Sequence, residues 1–175
     1  MAQLNFMVNF NGLLGIANWT GSNGTMSFVP FHVEDSISWK NINFMYAKEG
    51  TNSTLKHTFS IGLYSLNGST LSLANSASGT RTQNSFGYFT ITATSATQNI
   101  TPGTWWFGFL LSTTGSSGNS IYGQTGLPVG NAFPGGFMGG RMTESTGALP
   151  TAYSTSNLDT TGADSNQVPM IILST

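Results

Sequence analysis

The sequence predicts an all-β chain folded as an antiparallel β-sandwich, jelly-roll-like, with a long glycine-rich loop. Three observations predict it. Leu55, His57, Phe59, Ile61 and Leu63 alternate with Lys56, Thr58, Ser60 and Gly62, the clearest of several period-two runs that mark half-buried strands. Turn signals such as Asn67-Gly68 and Pro102-Gly103 separate these runs, at the roughly 8–12-residue spacing of a sandwich. No segment keeps helical spacing with caps for more than two turns.

In chain order, residues 1–24 read as an N-terminal strand or arm. Leu4, Phe6, Val8 and Phe10 share one parity before Gly12, Gly15, Gly21 and Gly24 interrupt it. Thr25 to Val33 is a strand. Pro30 inside it has no N–H for a ladder, which places the strand at an edge or at a bulge. Glu34-Asp35 turns the chain. Ile37 and Trp39 then share one parity and Ile42, Phe44 and Tyr46 the other, so a β-bulge is expected at Lys40-Asn41. After a polar turn at 49–53, the alternating run leads to an Asn67-Gly68 hairpin and Leu71-Ser72-Leu73. Residues 74–84 read as a polar loop and 85–93 as a strand. Trp105, Trp106, Phe107, Phe109, Leu110 and Leu111 form a nearly continuous apolar run, the mark of a central strand buried on both faces. Residues 113–147 are dense in glycine without a clear period, and Phe133, Phe137 and Met138 make them an ordered surface excursion. Residues 167–173 close the chain as a last strand. The whole chain, 1–175, reads as a single domain.

Composition narrows the function. Charged residues make up 6% of the chain and net charge is −1, against about 25% charged in an average soluble domain. With 38% hydrophobic and 12% aromatic residues, the chain has enough apolar surface to fold. Its surface must then be neutral and rich in hydroxyl and amide groups, which favours self-association. Lys40, Lys48, Lys56, Arg81 and Arg141 are scattered, so neither nucleic acid nor an anionic membrane is an expected partner. No apolar run approaches the roughly 20 residues that span a bilayer. Met1 to Phe10 lacks a basic segment ahead of an apolar one, so no secretory signal is expected. Cysteine is absent, which excludes disulfides and thiolate metal sites.

The residues that could do chemistry are few. The acids are Glu34, Asp35, Glu49, Glu144, Asp159 and Asp164. Glycoside hydrolysis needs two acids across a cleft, whereas adjacent Glu34 and Asp35 diverge on an extended chain. His32 and His57 have no nucleophile elbow or short-spaced ligand partner. His57 alternates in phase with Leu55 and Phe59 and reads as a core histidine. Asp159 and Asp164 flank a Thr-Thr-Gly-Ala turn, with two readings, a weak Ca²⁺ site and a plain Asx-rich turn. The chain is read as no enzyme, with no metal and no cofactor. The remaining candidates are aromatic. Trp19, Trp39, Trp106 and Tyr122 are the candidate ligand contacts, by stacking on sugar rings, and core or subunit interface is their competing role. Trp105 and Trp106 must face opposite sides of one strand.

Three segments carry a resemblance: Ser60-Ile61-Gly62-Leu63-Tyr64-Ser65-Leu66-Asn67-Gly68-Ser69-Thr70-Leu71-Ser72-Leu73, Asn99-Ile100-Thr101-Pro102-Gly103-Thr104-Trp105-Trp106, and Ser156-Asn157-Leu158-Asp159-Thr160-Thr161-Gly162-Ala163. They resemble recurring patterns in bacteriophage virion surface proteins, the capsid decoration and tail-fibre type of β-sandwich module. The matching segments lie between Ser60 and Ala163 and bring no catalytic residues. The resemblance implies a structural protein on the surface of a phage virion, a homotrimer in contact with other virion proteins. A capsid decoration (cement) role is the leading expectation. The alternative is a tail-fibre or receptor-binding module recognising host-surface glycans, a lectin-like carbohydrate-binding domain.

Overall fold

The computed structural model describes residues 6–8, 16–21, 25–47, 56–82, 87–93, 97–113, 119–125, 140–143, 148–158, 167–169 and 171–175. In chain order these hold β1 (Phe6–Val8), β2 (Ile16–Gly21), β3 (Thr25–Val33), β4 (Ile37–Trp39), β5 (Asn41–Ala47), β6 (Lys56–Asn67), β7 (Thr70–Thr82) and β8 (Gly87–Thr92). There follow β9 (Gln98–Ile100), β10 (Gly103–Thr113), β11 (Asn119–Thr125), β12 (Gly140–Thr143), β13 (Ala152–Ser154), a single 3-10 turn (Thr155–Asn157), β14 (Gln167–Pro169) and β15 (Ile171–Ser174). A seven-stranded sheet runs β1-β15-β5-β11-β14, with β8 also paired to β5 and β2 to β11. A six-stranded sheet runs β12-β3-β10-β6-β7-β13, and β4 and β9 form a ribbon of two. The pairings are antiparallel.

The two large sheets pack face to face, so the chain is an all-β sandwich. Phe31, Phe59, Ile61, Phe107 and Phe109 from the six-stranded sheet meet Ile42, Phe44, Phe89, Ile91 and Leu173 from the other in one buried cluster. Phe44 sits at its centre, with ring centroids 5.0 Å from Phe59, 5.2 Å from Phe89 and 5.7 Å from Phe109, all edge-on. Such pairs contribute about 0.5–1.5 kcal/mol each beyond their buried area. A jelly roll divides eight strands between two sheets; the described strands divide seven, six and two, so the sandwich stands and the jelly-roll refinement does not follow from the pairing.

β10 explains why the six-stranded sheet has no wet face over much of its width. Phe107, Phe109 and Leu111 point into the sandwich. Trp106 and Leu110, on the opposite parity, join Met26, Phe28, Tyr64, Leu71 and Leu158 in a second core on the sheet's far side. The segment 148–158 covers it, with Leu149 and Tyr153 packed against the cluster. This strap is tied down by Tyr64 Oη donating to Pro150 O at 3.0 Å, Leu73 N to Thr151 O at 2.9 Å and Thr155 N to Ser69 O at 2.8 Å. Tyr153 of β13 stacks on Phe28 of β3 at 5.7 Å, although β10, β6 and β7 lie between those strands. Flat strands so placed would be roughly 19 Å apart, so the sheet curls around its second core.

Several sequence expectations are corrected. Of the loop expected at 74–84, residues 83–84 lie outside the described residues and 74–82 are most of β7, which pairs with β6 along its length. Its register shifts once: Tyr64 faces Leu73 and Leu63 faces Asn75, leaving Ala74 as a bulged residue. The bulge moves the outer face from odd positions (Leu71, Leu73) to even ones (Ser78, Thr80), which erases the period-two signal. The bulge expected at Lys40-Asn41 is instead a passage between sheets. β4 pairs with β9 and β5 with β8 and β15, and Lys40 bridges them through Lys40 N to Ser174 O and Ala93 N to Lys40 O, both 2.8 Å. The terminal strand is two, β14 on β11 and β15 on β1 and β5. The excursion at 113–147 contains β11 and β12, one in each large sheet; 114–118, 126–139 and 144–147 lie outside the described residues. Pro30 lies two residues beyond Phe28, where the described part of β12 begins, and the register against β10 is unbroken there. The bulge reading of Pro30 therefore does not hold. The Asn67-Gly68 hairpin forms one residue later than the dipeptide suggests. Asn67 pairs with Thr70, and Gly68, at φ 60°, opens a two-residue loop.

Candidate functional site

Of the four aromatics singled out by sequence, Trp39 and Trp106 are buried in two different cores. Trp39 is fully buried in the inter-sheet core, and Trp106 is 4% exposed in the second core. Neither offers a ring face to a sugar, and both indole N–H groups are buried without a hydrogen-bond partner among the described residues. Such a group costs about 1–3 kcal/mol, which the burial of two large rings offsets. Trp19 lies opposite Ile121, and Tyr122 opposite Asn18, where β2 pairs with β11; their side chains lie outside the described residues, as do Asp159 and Asp164. Trp105 turns toward the sandwich core, opposite to Trp106, and its Nε1 donates to Thr101 O at 2.9 Å. His57 is buried, in phase with Phe59. Among the described residues no group of three or more His, Asp or Glu stands close enough to hold a metal.

What the fold does present is an uncharged ladder on the outer face of the seven-stranded sheet. Phe89 and Ile91 of β8 point inward, so Tyr88, Thr90 and Thr92 point outward, and all three are exposed. Tyr88 is 56% exposed, more than any other Phe, Tyr or Trp whose side chain is described. β5 lies beside β8, with Asn43 opposite Thr90 and Asn41 opposite Thr92. Thr90 Oγ1 donates to Asn43 Oδ1 at 2.7 Å, and Thr92 Oγ1 donates to Asn41 Oδ1 at 3.0 Å. The Asn43 amide is fixed from behind, its Nδ2 donating to Ser174 Oγ at 3.1 Å and to Ile172 O at 3.3 Å. Because both threonine hydroxyls donate inward to asparagine, their lone pairs remain as acceptors.

Arg81 holds this strand from the neighbouring sheet. Its guanidinium lies 4.6 Å from the Phe89 ring centroid, and Nη2 donates to Tyr88 O at 3.2 Å. The cation is thereby engaged on the inward side of β8, while Tyr88, Thr90 and Thr92 on its outward side are uncharged. Lys40 is exposed in the bend before Asn41.

Tyr88 is not among the aromatics that the sequence singles out. The signal was present in parity. In Gly87–Thr92 the apolar phase is Phe89 and Ile91, and Tyr88 is an aromatic in the polar phase with Thr90 and Thr92. A second feature is a recess of about 290 Å³ on the far side of the six-stranded sheet, lined by Ser60, Leu73, Ser76, Ala77, Ser78 and Leu149 where the strap meets β6 and β7. No protein-family model matches this chain, and no curated protein matches it either.

Proposed function

We propose that this chain is a non-enzymatic structural protein of a phage virion, a decoration protein on the particle surface that assembles as a trimer. The observation that carries this reading is the six-stranded sheet with a packed core on each side. A chain of 175 residues with 6% charged residues and a packed core on each side of its six-stranded sheet is stiff and charge-poor, suited to a shell in which symmetric repetition multiplies weak contacts. The resemblance of the segments between Ser60 and Ala163 to virion surface proteins points the same way. The test is the mass in solution by light scattering after size exclusion, with the protein followed through density-gradient purification of phage particles. A trimer that travels with the particles is the expected result. A monomer found only in the soluble fraction overturns the reading.

A second reading, a glycan-binding receptor module, is favoured by one observation: the exposed Tyr88 ring beside a fixed hydroxyl and amide ladder.

A further inference from the structure

From the outer face of β8 we infer a binding site for an uncharged oligosaccharide, laid along the strand with one sugar ring on Tyr88 and the next over Thr90 and Thr92. The inference rests on the glycan-binding reading and gives it a place and a ligand class. Three features of the face argue for it.

The first is shape. Tyr88, Thr90 and Thr92 stand in a row on one side of β8, each about 7 Å from the next along the strand. The row is about 14 Å long, enough for two to three sugar units. A pyranose ring stacks its C–H face on an exposed aromatic ring and directs its hydroxyls to the sides. Tyr88 is such a platform.

The second is hydrogen-bonding polarity. Sugar hydroxyls are both donors and acceptors and need partners whose direction is already set. Thr90 and Thr92 spend their protons on Asn43 and Asn41, so each presents acceptor lone pairs. Asn43 is 9% exposed and held by Ser174 and Ile172, so the rung beneath Thr90 does not need ordering when ligand arrives. Preorganisation of this kind removes part of the entropic cost of binding.

The third is charge. Tyr88, Thr90, Thr92, Asn41, Asn43 and Ser174 are all uncharged. Arg81 is turned inward onto Phe89 and the Tyr88 carbonyl. The exposed Lys40, in the bend before Asn41, stands at the Thr92 end of this row; the row itself is neutral, so a neutral ligand meets neutral side chains and binding should be insensitive to salt.

The test titrates the full chain with a panel of uncharged oligosaccharides of two to six hexose or N-acetylhexosamine units, read by saturation-transfer and amide-shift NMR. At least one member is expected to bind, with shifts centred on β8 and β5 and an affinity unchanged between low and high NaCl. Tyr88→Ala should weaken it about tenfold, Tyr88→Phe should retain it because the ring is kept, and Thr92→Val should weaken it severalfold. These residues are exposed, and unchanged melting curves verify that the variants fold. Binding that survives Tyr88→Ala and Thr92→Val, or that perturbs another face, overturns the site while leaving the glycan-binding reading in place. Binding that falls steeply with salt overturns the neutral ligand class. If no member of the panel binds at millimolar concentration, the site and the glycan-binding reading fall together, and the decoration reading, tested by particle association, is untouched.

Discussion

At the scale of single residues, two glycines of this chain are needed for different reasons. Gly108 lies on β10 directly between Gly62 of β6 and Phe28 of β3. A Cβ there would run into the Met26 methyl, the Tyr64 ring and Phe28. Tyr64 cannot swing away, because it is fully buried and its hydroxyl is held by Pro150 O. Gly68 has no atom near its would-be Cβ, but its φ of 60° strains any L side chain. Gly108→Ala is therefore expected to destabilise by about 3 kcal/mol through overpacking, and Gly68→Ala by about 1 kcal/mol through backbone strain. Urea denaturation of the two variants checks this; a Gly108 variant as stable as the Gly68 variant would mean the second core is not packed as described. At the residue scale a large aromatic in the sequence does not by itself distinguish contact from core. Trp39 and Trp106 stood out as large, rare side chains, yet size is a reason for burial as much as for contact. Tyr88 was legible only through its phase relative to Phe89 and Ile91, which requires the strand boundaries first.

At the scale of elements, what the sequence made legible followed from how local each signal is. β3, β6, β8 and β10 were readable because their apolar residues repeat within a few positions. β7 was not, because its inward residues are few and small, Ala77 among them, and its single bulge at Ala74 reverses the phase midway. What makes it a strand is its partner: β6 supplies a complete ladder, and β7 has no proline to interrupt it. The strap at 148–158 was equally opaque. Its short-range features are β13, one 3-10 turn and a few local hydrogen bonds, such as Tyr153 Oη donating to Asn157 O and Ser154 Oγ accepting from Ser156 N, and its place is set by distant residues, Tyr64, Leu73 and Ser69. The strap seals the second core through Leu158, which is 8% exposed. Leu158→Ala is expected to cost about 2 kcal/mol, the low end for a buried leucine at the rim of a core. Hydrogen exchange should rise first in 148–158 while β10 amides stay protected. Exchange that rises equally in β10 and in the strap would show that the two open as one unit, contrary to the separation of the two cores.

At the scale of the whole molecule, the all-β class could be read from the chain because it depends only on period, whereas the sheet order could not. Phe6 pairs with Leu173 and β3 is flanked by β10 and β12, partnerships between segments far apart in sequence for which no local residue pattern codes. Composition, by contrast, speaks directly to the whole. Five cationic and six anionic side chains leave little for salt to screen, and the stability of the fold rests on two apolar cores and on hydroxyl and amide ladders. Salt and burial can then be separated by experiment. Sodium chloride from 50 to 500 mM screens charge pairs and should move the thermal midpoint by less than about 2 °C, roughly half a kcal/mol for a chain of this size. Sodium sulfate at matched ionic strength is excluded from exposed apolar surface and should raise the midpoint by several degrees. Circular dichroism melts in the two salts decide the matter. A fall of about 5 °C in sodium chloride would place a charge cluster at the heart of the fold, which eleven dispersed charges do not supply. A rise in sulfate with a flat response to chloride would establish burial and neutral hydrogen bonding as what holds this sandwich together.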